Sequence, residues 1–357
     1  MDTNVFSEIL ASYEISSNNK RKSSASAHWK GFFHDDYSKN LTEKKIKNFR
    51  NNGLSDGLDN RRKGNLTDLN NKFEQFIIFL GESGLKFEDI KYLFPSINTG
   101  NLQIILKNND KFIDDKFILL IKYYLLFEKI IFKKSFFNDQ NINILDIGGG
   151  FGGLTSVLLR SNILKNNNVK YFLIDLPEVN LLSNYYLSEQ FPEKRIFNLQ
   201  KKNVIEQSLL IDNLSDFDIF ILPTNSNISK EIKFNFINNT ASMMEMNYKE
   251  ISTYFALIQS HLKINGYFAN LNRYYKDTAN EKIYFHKYPY DDCWEICYSK
   301  HHGKRSHFLI TKRIENKKND IKLKMKKISL ISKNYSPPSF IPLRIYNLYR
   351  VVKKHFK

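Results

Sequence analysis

The sequence predicts a doubly wound α/β domain, in which a mainly parallel sheet carries helices on both faces. From about residue 141, short runs of β-branched and aromatic residues alternate with segments of helical periodicity. A glycine cluster at residues 148–153 lies between an apolar run and a helical one, an arrangement that brings backbone close to a ligand. The 357 residues are 42% hydrophobic, so the chain can bury a large core and is not mainly disordered.

Eight runs are expected to form strands, and two longer segments between them are expected to form helices. The strand candidates are residues 142–147, 169–175, 195–199, 217–222, 234–237, 266–270, 294–298 and 307–311. The helix candidates are residues 177–191, with proline in the first turn, and residues 247–262, with a glycine shortly after the end. Eight strands are more than such a domain usually has, so either 195–199 or 217–222 is expected to be peripheral.

Residues 1 to about 140 are expected to be mainly helical, with polar loops between the helices. Thr67 is the expected cap of one helix. The apolar stripes that predict two helices are Phe73, Phe76, Ile77 and Leu80, and Leu119, Tyr123, Leu126 and Ile130. The polar segment 23–62 carries five aromatic residues, which favours a loop or lid folded over a bound molecule.

Cysteine usage and hydropathy indicate a cytoplasmic protein. Cys293 and Cys297 are too few for a disulfide framework, and their spacing is not that of zinc or redox sites. The first residues lack the apolar core of a secretory signal. The most hydrophobic segment, 117–132, contains charged residues and is too short to span a membrane, so it is expected to be a buried helix.

The net charge of +17 is concentrated at the C-terminal end of the chain. Residues 312–357 contain 14 Lys and Arg against two acidic residues, a net charge of +12, which leaves +5 for the rest. A nucleic-acid groove would distribute its basic residues over the folded body, so we expect no nucleic-acid partner. Residues 343–357 are expected to form a basic amphipathic helix.

The strongest chemical signal is the run ILDIGGGFGGL, which satisfies two templates at once. Gly148, Gly150 and Gly153 fit the GxGxxG loop of dinucleotide-binding domains. Asp146, Gly148, Gly150 and Gly152 fit the acidic-x-G-x-G-x-G loop of S-adenosylmethionine (SAM) enzymes. A loop with so many glycines and no ligand is disfavoured, because glycine costs conformational entropy unless a close approach requires it.

Asp146 favours SAM over a dinucleotide. A dinucleotide places its pyrophosphate at the helix N-terminus, where a carboxylate two residues before the first glycine would repel it. SAM carries a sulfonium and an ammonium, both of which a carboxylate attracts. The second strand ends at Asp175, whose carboxylate can accept hydrogen bonds from the ribose hydroxyls of either cofactor.

Three runs resemble the bacterial sugar O-methyltransferase family, which occurs with lipopolysaccharide and capsule genes: ILDIGGGFGGL, YFLIDLPEVNLLSNYYLS and FINNTASMMEMNYKEISTYF. The specific elements are Asp175-Leu176-Pro177-Glu178 and Asn239-x-x-Ser242-Met243-x-Glu245-Met246. The resemblance implies a Rossmann-like class I methyltransferase domain over residues 141–315. The mainly helical region 1–140 precedes this domain, and a basic extension, 316–357, follows it.

The resemblance also implies SAM as methyl donor and a sugar hydroxyl of a surface glycan, or of its activated precursor, as acceptor. The residues expected to bind the cofactor are Asp146, Gly148, Gly150, Gly152, Asp175, Leu176, Asn239 and Ser242. The residues expected to contact the acceptor are His28, Trp29, Met243, Arg273 and Tyr290. The aromatic and charged stretch after Arg273 has the composition of a carbohydrate surface, although a solvated hairpin with core aromatics has the same composition.

Methyl transfer to a sugar hydroxyl requires a general base, because the hydroxyl is a poor nucleophile. Glu245 is the first candidate, since it follows strand 234–237 within the resembling motif. Its other interpretations are an acid that stabilises the next helix and a hydrogen-bonding partner for cofactor or acceptor. His286 and His301 are the next candidates, although a lone histidine is more often structural.

No metal site is expected, because the adjacent carboxylates Asp291 and Asp292 would point to opposite faces of a strand. Two other functions stay open: an NAD(P)-dependent oxidoreductase that uses the GxGxxG loop, and a non-catalytic subunit of a glycan-assembly complex. The basic extension could dock on the inner face of the membrane, on a glycosyltransferase or on its own domain. A homo-oligomer is compatible with the sequence.

Overall fold

The structure, a computed structural model, describes residues 7, 9–11, 41–52, 65–132, 136–137, 139, 141–165, 167–197, 214–224, 226–278, 281–303, 305–317 and 320–335. His28 and Trp29, two of the expected acceptor contacts, lie outside the described residues. The expected basic helix at 343–357 and most of the segment 23–62 also lie outside them.

The described elements begin with helices and continue as alternating strands and helices. The helices are α1 (Glu43–Lys47), α2 (Phe49–Asn52), α3 (Leu66–Glu82), α4 (Phe87–Ile90), α5 (Asp115–Ile130), α6 (Gly153–Arg160), α7 (Asn162–Lys165), α8 (Pro177–Gln190), α9 (Tyr248–His261) and α10 (Asp320–Ser332). The strands are β1 (Leu106–Asn108), β2 (Lys111–Ile113), β3 (Asn141–Ile147), β4 (Asn168–Asp175), β5 (Ile196–Phe197), β6 (Ile219–Pro223), β7 (Phe234–Thr240), β8 (Leu262–Arg273), β9 (Tyr275–Thr278), β10 (Glu281–Tyr284), β11 (Trp294–His302) and β12 (Ser306–Arg313). Short 3₁₀ turns occur at Lys91–Leu93, Met243–Glu245 and Phe285–Lys287.

Eight strands form one mixed sheet in the order β11-β12-β8-β7-β3-β4-β6-β5. Strands β3 to β8 run parallel, and β12 is antiparallel to both β8 and β11. From β3 the chain moves outward to β4 and β6 on one side, and through β7 to β8 on the other. The switch in direction therefore lies between β3 and β7, where doubly wound sheets bind ligands at the carboxyl ends of their strands. The predicted α/β fold is confirmed, and β5, two residues long at the sheet edge, is the peripheral strand.

The sheet is covered on both faces. Ile142 and Ile144 of β3 belong to the core that also holds residues of α5, α6 and α8. Leu145 and Ile147 of the same strand belong to a second core with residues of α9 and α10. Because alternate residues of a strand point to opposite faces, β3 is buried on both sides, as its apolar run requires.

The described N-terminal helices pack on the sheet and share its first core. Helix α3 is capped by Asn65, which forms a reciprocal capping box with Asp68, so the predicted cap Thr67 lies instead within the first turn. In α5 only Lys129 is exposed, which explains why its sequence is apolar around most of the helix.

The described part of the basic extension also packs on the domain. Ile321 and Ile328 of α10 are buried in the second core. After the helix, Tyr335 stacks on Tyr274 with ring centroids 5.1 Å apart and planes within 4°. Helices in the described part of the chain are too short or too polar to cross a membrane.

Candidate functional site

The glycine loop connects the carboxyl end of β3 to the start of α6. Gly148, Gly150 and Gly152 have φ angles of 71°, 59° and 81°, in the left-handed region that glycine adopts without strain. A Cβ at Gly148 would overlap the side chain of Ser242, which follows β7. The loop backbone therefore lies directly against the β7 loop, at the switch point of the sheet.

Asp175 ends β4 beside this loop. Its Oδ2 accepts a hydrogen bond from the Gly150 N–H and its Oδ1 accepts one from the Leu176 N–H, both at 2.8 Å. Burial raises the pKa of the Asp175 carboxyl to about 7; the two amide hydrogen bonds oppose the shift, and the charges of Asp146 and Glu245 add to it. The three carboxylates therefore share one region at the carboxyl edge of the sheet.

Asp146 lies directly behind the loop, with 4% of its surface exposed. The side chain of Asn238 donates a hydrogen bond to its Oδ1 at 2.7 Å, and within the described chain no hydrogen bond reaches Oδ2. Oδ2 would lie 3.4 Å from a Cβ at Gly149. Burial raises the pKa of Asp146 to about 6, against the opposing effect of the Asn238 hydrogen bond. A cation at this oxygen would relieve the cost of burying the carboxylate.

Asn239 holds the glycine loop and the β7 loop together. Its side chain donates to the Ile147 carbonyl at 2.8 Å and to the Ser242 hydroxyl at 2.5 Å. Its Oδ1 accepts a hydrogen bond from the Met243 N–H at 3.2 Å. Because Asn239 is fully buried and its side chain is committed to these partners, its role in this structure is positioning, and its contact with the cofactor stays a prediction.

Two further buried asparagines, which were not predicted from the sequence, extend this network. Asn272 donates to Asn239 at 2.8 Å and to Asn270 at 2.7 Å, and it accepts a hydrogen bond from the Met244 N–H at 3.0 Å. Asn270 in turn donates to the hydroxyl of Tyr290 at 3.0 Å. Polar residues at positions 270 and 272, alternating with the apolar Ala269 and Leu271, were the available signal.

Glu245 closes the 3₁₀ turn that this network supports. Its Oε1 forms an ion pair with Lys276 of β9 at 2.5 Å, and the two side chains are 18% and 15% exposed. Its charge adds to the raised pKa of Asp175. Of the three predicted catalytic residues, it is the one in the segment after β7, whose Ser242 lies against Gly148.

The two histidine candidates lie elsewhere and contact the C-terminal extension. His301 is on β11, three strands from β7 and thus about 14 Å away across the sheet. Its Nδ1 lies 3.1 Å from the Tyr274 hydroxyl, and its ring also stacks on Tyr335. The Nδ1 of His286 lies 3.3 Å from the Ser332 hydroxyl, and burial lowers the pKa of its imidazole. The structure therefore does not bring either histidine to the glycine loop.

Of the expected acceptor contacts in the described residues, one is buried and two are at least partly exposed. Met243 is fully buried in the second core, which corrects its expected contact with an acceptor. Tyr290 packs its ring against Phe255, with centroids 4.8 Å apart, and is partly exposed. Arg273 is exposed at the end of β8, on the same edge as the site.

No group of three or more His, Cys, Asp or Glu side chains in the described ranges is arranged to hold a metal ion. The two adjacent carboxylates are used in ion pairs. Asp291 contacts Arg313 at 2.5 Å, and Asp292 contacts Lys322 at 2.7 Å.

A buried ion pair from the N-terminal region supports the glycine loop from its other side. Arg50 donates two hydrogen bonds to Asp114, and its guanidinium lies over the ring of Phe151 at 4.9 Å from the centroid. Asp114 also caps α5 by accepting a hydrogen bond from the Lys116 N–H at 2.8 Å. Phe151 therefore anchors the glycine loop to the N-terminal helices, a contact that was not predicted from the sequence.

No family model matches the chain, and no curated protein matches it. Among solved structures it is similar to mitomycin 7-O-methyltransferase, with a TM-score of 0.32 and 11% identity over 56% of this chain and 57% of that chain. It is also similar to an RNA methyltransferase from Salinibacter ruber in complex with S-adenosyl-L-homocysteine, with a TM-score of 0.31 and 7% identity over 57% and 95% of the two chains. A methyltransferase from Pyrococcus furiosus gives a TM-score of 0.31 and 11% identity over 55% and 83%. The chain thus spans little more than half the length of the mitomycin enzyme, and TM-scores this low carry no argument about activity.

The residues of the site fit a cationic, ribose-bearing ligand. The free oxygen of Asp146 faces the back of the loop, and Asp175 is partly exposed at the end of the neighbouring strand. Each Asp175 oxygen accepts one amide hydrogen bond and keeps a lone pair for a hydroxyl donor.

Proposed function

We propose that this chain is a SAM-dependent O-methyltransferase that methylates a sugar hydroxyl of a surface glycan, such as capsule or lipopolysaccharide, or of its activated precursor. The observation that carries the cofactor assignment is the placement of Asp146 and Asp175 around a loop that is left-handed at three glycines. The sugar acceptor rests on the resemblance of the three sequence runs described above.

The two carboxylates have distinct roles in this proposal. Asp146 attracts the ammonium of the methionine part of SAM, and Asp175 accepts hydrogen bonds from the ribose hydroxyls. The Asp146 carboxylate would also repel a pyrophosphate at the N-terminus of α6. This electrostatic argument disfavours the NAD(P)-dependent oxidoreductase.

SAM, when bound, supplies an electrophilic methyl group on a sulfonium. Transfer of that methyl group to a hydroxyl would require mainly that the acceptor oxygen is aligned with the methyl carbon. Glu245 takes the hydroxyl proton on Oε2, the oxygen that Lys276 does not contact. Lys276 holds the carboxylate in place, and Arg273 contacts the acceptor from the same edge of the sheet.

A cytoplasmic location is part of the proposal, because neither cysteine is joined in a disulfide and SAM is an intracellular metabolite. A sugar or glycan is the proposed partner, with no nucleic acid. The alternative of a non-catalytic subunit predicts that the chain binds SAM without transferring the methyl group. A methyl-transfer assay therefore distinguishes it from the enzyme.

Cofactor choice is tested by calorimetric titration of the full chain with SAM, S-adenosylhomocysteine and NADH. We expect both SAM and S-adenosylhomocysteine to bind and NADH not to bind. Asp175→Asn should weaken SAM binding at least tenfold, because a neutral amide accepts hydroxyl donors less strongly. Binding of NADH without binding of SAM would refute the cofactor assignment.

The acceptor is tested by incubating the chain with labelled SAM, a panel of nucleotide sugars and extracted host glycans, followed by mass spectrometry. A gain of one methyl group on a sugar is the expected result. Glu245→Gln should retain SAM binding and lose transfer by about 100-fold or more. Full transfer by this variant would remove Glu245 as the base and leave the cofactor assignment intact.

A further inference from the structure

The outward face of α10 is unusually apolar for a helix on the surface of a folded domain. Ile321 and Ile328 point into the second core. At 100° per residue, Leu323 and Leu330 lie on the opposite side of the helix. They are 56% and 62% exposed. A helix docked by one face normally presents polar residues on the other, so these two leucines need a separate explanation.

Exposed lysines flank the two leucines. Lys326 and Lys327 lie between them in sequence, one on each side of the line that joins them, and both are exposed. Neither forms an ion pair with any residue in the described part of the chain. Lys333, one turn further on, is also exposed. Asp320 is the only acidic residue of α10.

We propose that this face of α10 binds the surface of an anionic phospholipid bilayer. The leucines would enter the boundary between headgroups and acyl chains, while the lysines contact the lipid phosphates. A nucleic acid would leave the leucines without a partner. A second copy of the chain would bring two faces of the same charge together, which costs free energy. The proposal does not depend on the proposed catalytic function.

The two leucines are seven residues apart, about 10 Å along the helix, so both can reach one flat interface at the same depth. Each lysine close to an anionic surface contributes about fivefold to partitioning. Loss of both lysines should therefore weaken binding by more than about threefold, and loss of both leucines, which removes the apolar contact with the acyl chains, should do the same. No described helix spans the bilayer, so the association is peripheral.

The test measures partitioning of the full chain onto phosphatidylcholine vesicles with and without 30% phosphatidylglycerol. Because the basic segment 343–357 could also bind, the parent protein carries glutamine in place of its five cations. The replaced residues are Arg344, Arg350, Lys353, Lys354 and Lys357. The parent should bind the anionic vesicles and not the neutral ones.

The first variant changes Leu323 and Leu330 to serine, and the second changes Lys326 and Lys327 to glutamine. The matched controls change Ile77 and Ile78 of α3 to serine, which are 39% and 54% exposed, and Lys249 and Lys282 to glutamine. Circular dichroism establishes that all variants are folded. Both α10 variants should partition onto the anionic vesicles at least about threefold more weakly than the parent. Both controls should partition as the parent does.

Three results would overturn the proposal. The parent could fail to bind anionic vesicles, it could bind neutral vesicles equally well, or the α10 variants could bind within threefold of the parent. A protein partner for this face would give the third result.

Discussion

Arg50 and Asp114 form a two-point salt bridge between positions 64 residues apart, with N–O distances of 3.3 and 3.1 Å. The side chains are 2% and 1% exposed. The guanidinium covers the ring of Phe151, so the pair connects the N-terminal helices to the glycine loop. Burying such a pair costs desolvation free energy, which its hydrogen bonds and the attraction of the opposite charges oppose.

Asp114→Asn should destabilise the chain by about 3–5 kcal/mol, because it leaves the Arg50 charge buried without a counter-ion. Asparagine retains the N-cap of α5, so the capping contribution stays. Urea denaturation measures the change. Asp115→Asn removes the partially exposed partner of Lys72 and should cost only about 0–1 kcal/mol.

The double variant Arg50→Met with Asp114→Asn tests whether the unpaired buried charge of Arg50 causes this loss of stability. Removing both charges should recover more than half of the stability that Asp114→Asn loses. A double variant as unstable as the single one would show that the buried charge is not the cause.

Gly148→Ala should abolish or strongly weaken SAM binding, because the new Cβ would collide with Ser242 at the loop. Part of any effect comes from the left-handed φ of 71°, which costs about 1–2 kcal/mol for alanine. Gly84→Ala is the matched control, since Gly84 has φ of 72° and no atom near its Cβ position. The control should lose stability and keep its SAM affinity in calorimetric titration.

Stability without cofactor should fall as pH rises from about 4 to about 7. In the folded state the pKa values of Asp146 and Asp175 are raised to about 6 and about 7, from an ordinary 3.8. Between these values the folded state holds protons that the unfolded state releases, so raising the pH favours unfolding. Thermal melting from pH 4 to pH 8 measures this, and Asp175→Asn should flatten the profile. If Asp175→Asn leaves the pH dependence of the melting temperature unchanged, the raised pKa of Asp175 is contradicted.

Asn272→Ala should reduce methyl transfer more than SAM binding. The variant removes the hydrogen bond from the Met244 N–H to Asn272 in the turn that ends at Glu245, which costs about 1–3 kcal/mol and loosens the proposed base. Steady-state kinetics should show a lower kcat with a SAM Kd within about threefold of wild type. Thr253→Ala, which removes an exposed hydroxyl on α9, should change neither quantity.

The sheet was predictable because most of its strands are built around short runs rich in β-branched and aromatic residues. Asp146 and Asp175 were predictable as candidate site residues, since they lie at the carboxyl ends of the adjacent parallel strands β3 and β4. The carboxyl ends of parallel strands meet at one edge, so sequence position alone brings them together.

The polar network was not predictable, because its contacts join residues far apart in sequence. Asn238 reaches Asp146 across 92 residues, and nothing local marks the pairing. Met243 was misassigned because membership in a motif does not tell which side of a 3₁₀ turn faces the core. His301 was misplaced because the order of the last two strands in the sheet, which sets its distance from β7, is not encoded locally.

The contact of Phe151 with Arg50 has a thermodynamic consequence for the whole chain. A ligand that orders the glycine loop also stabilises the helices against which Phe151 packs, since loop and helices share one hydrophobic core. Ligand binding at the site would thus slow amide hydrogen exchange in α5, whose first turn begins at Asp115. Conversely, local unfolding of the N-terminal helices would weaken ligand binding, so the stability of these helices and the affinity of the site are coupled.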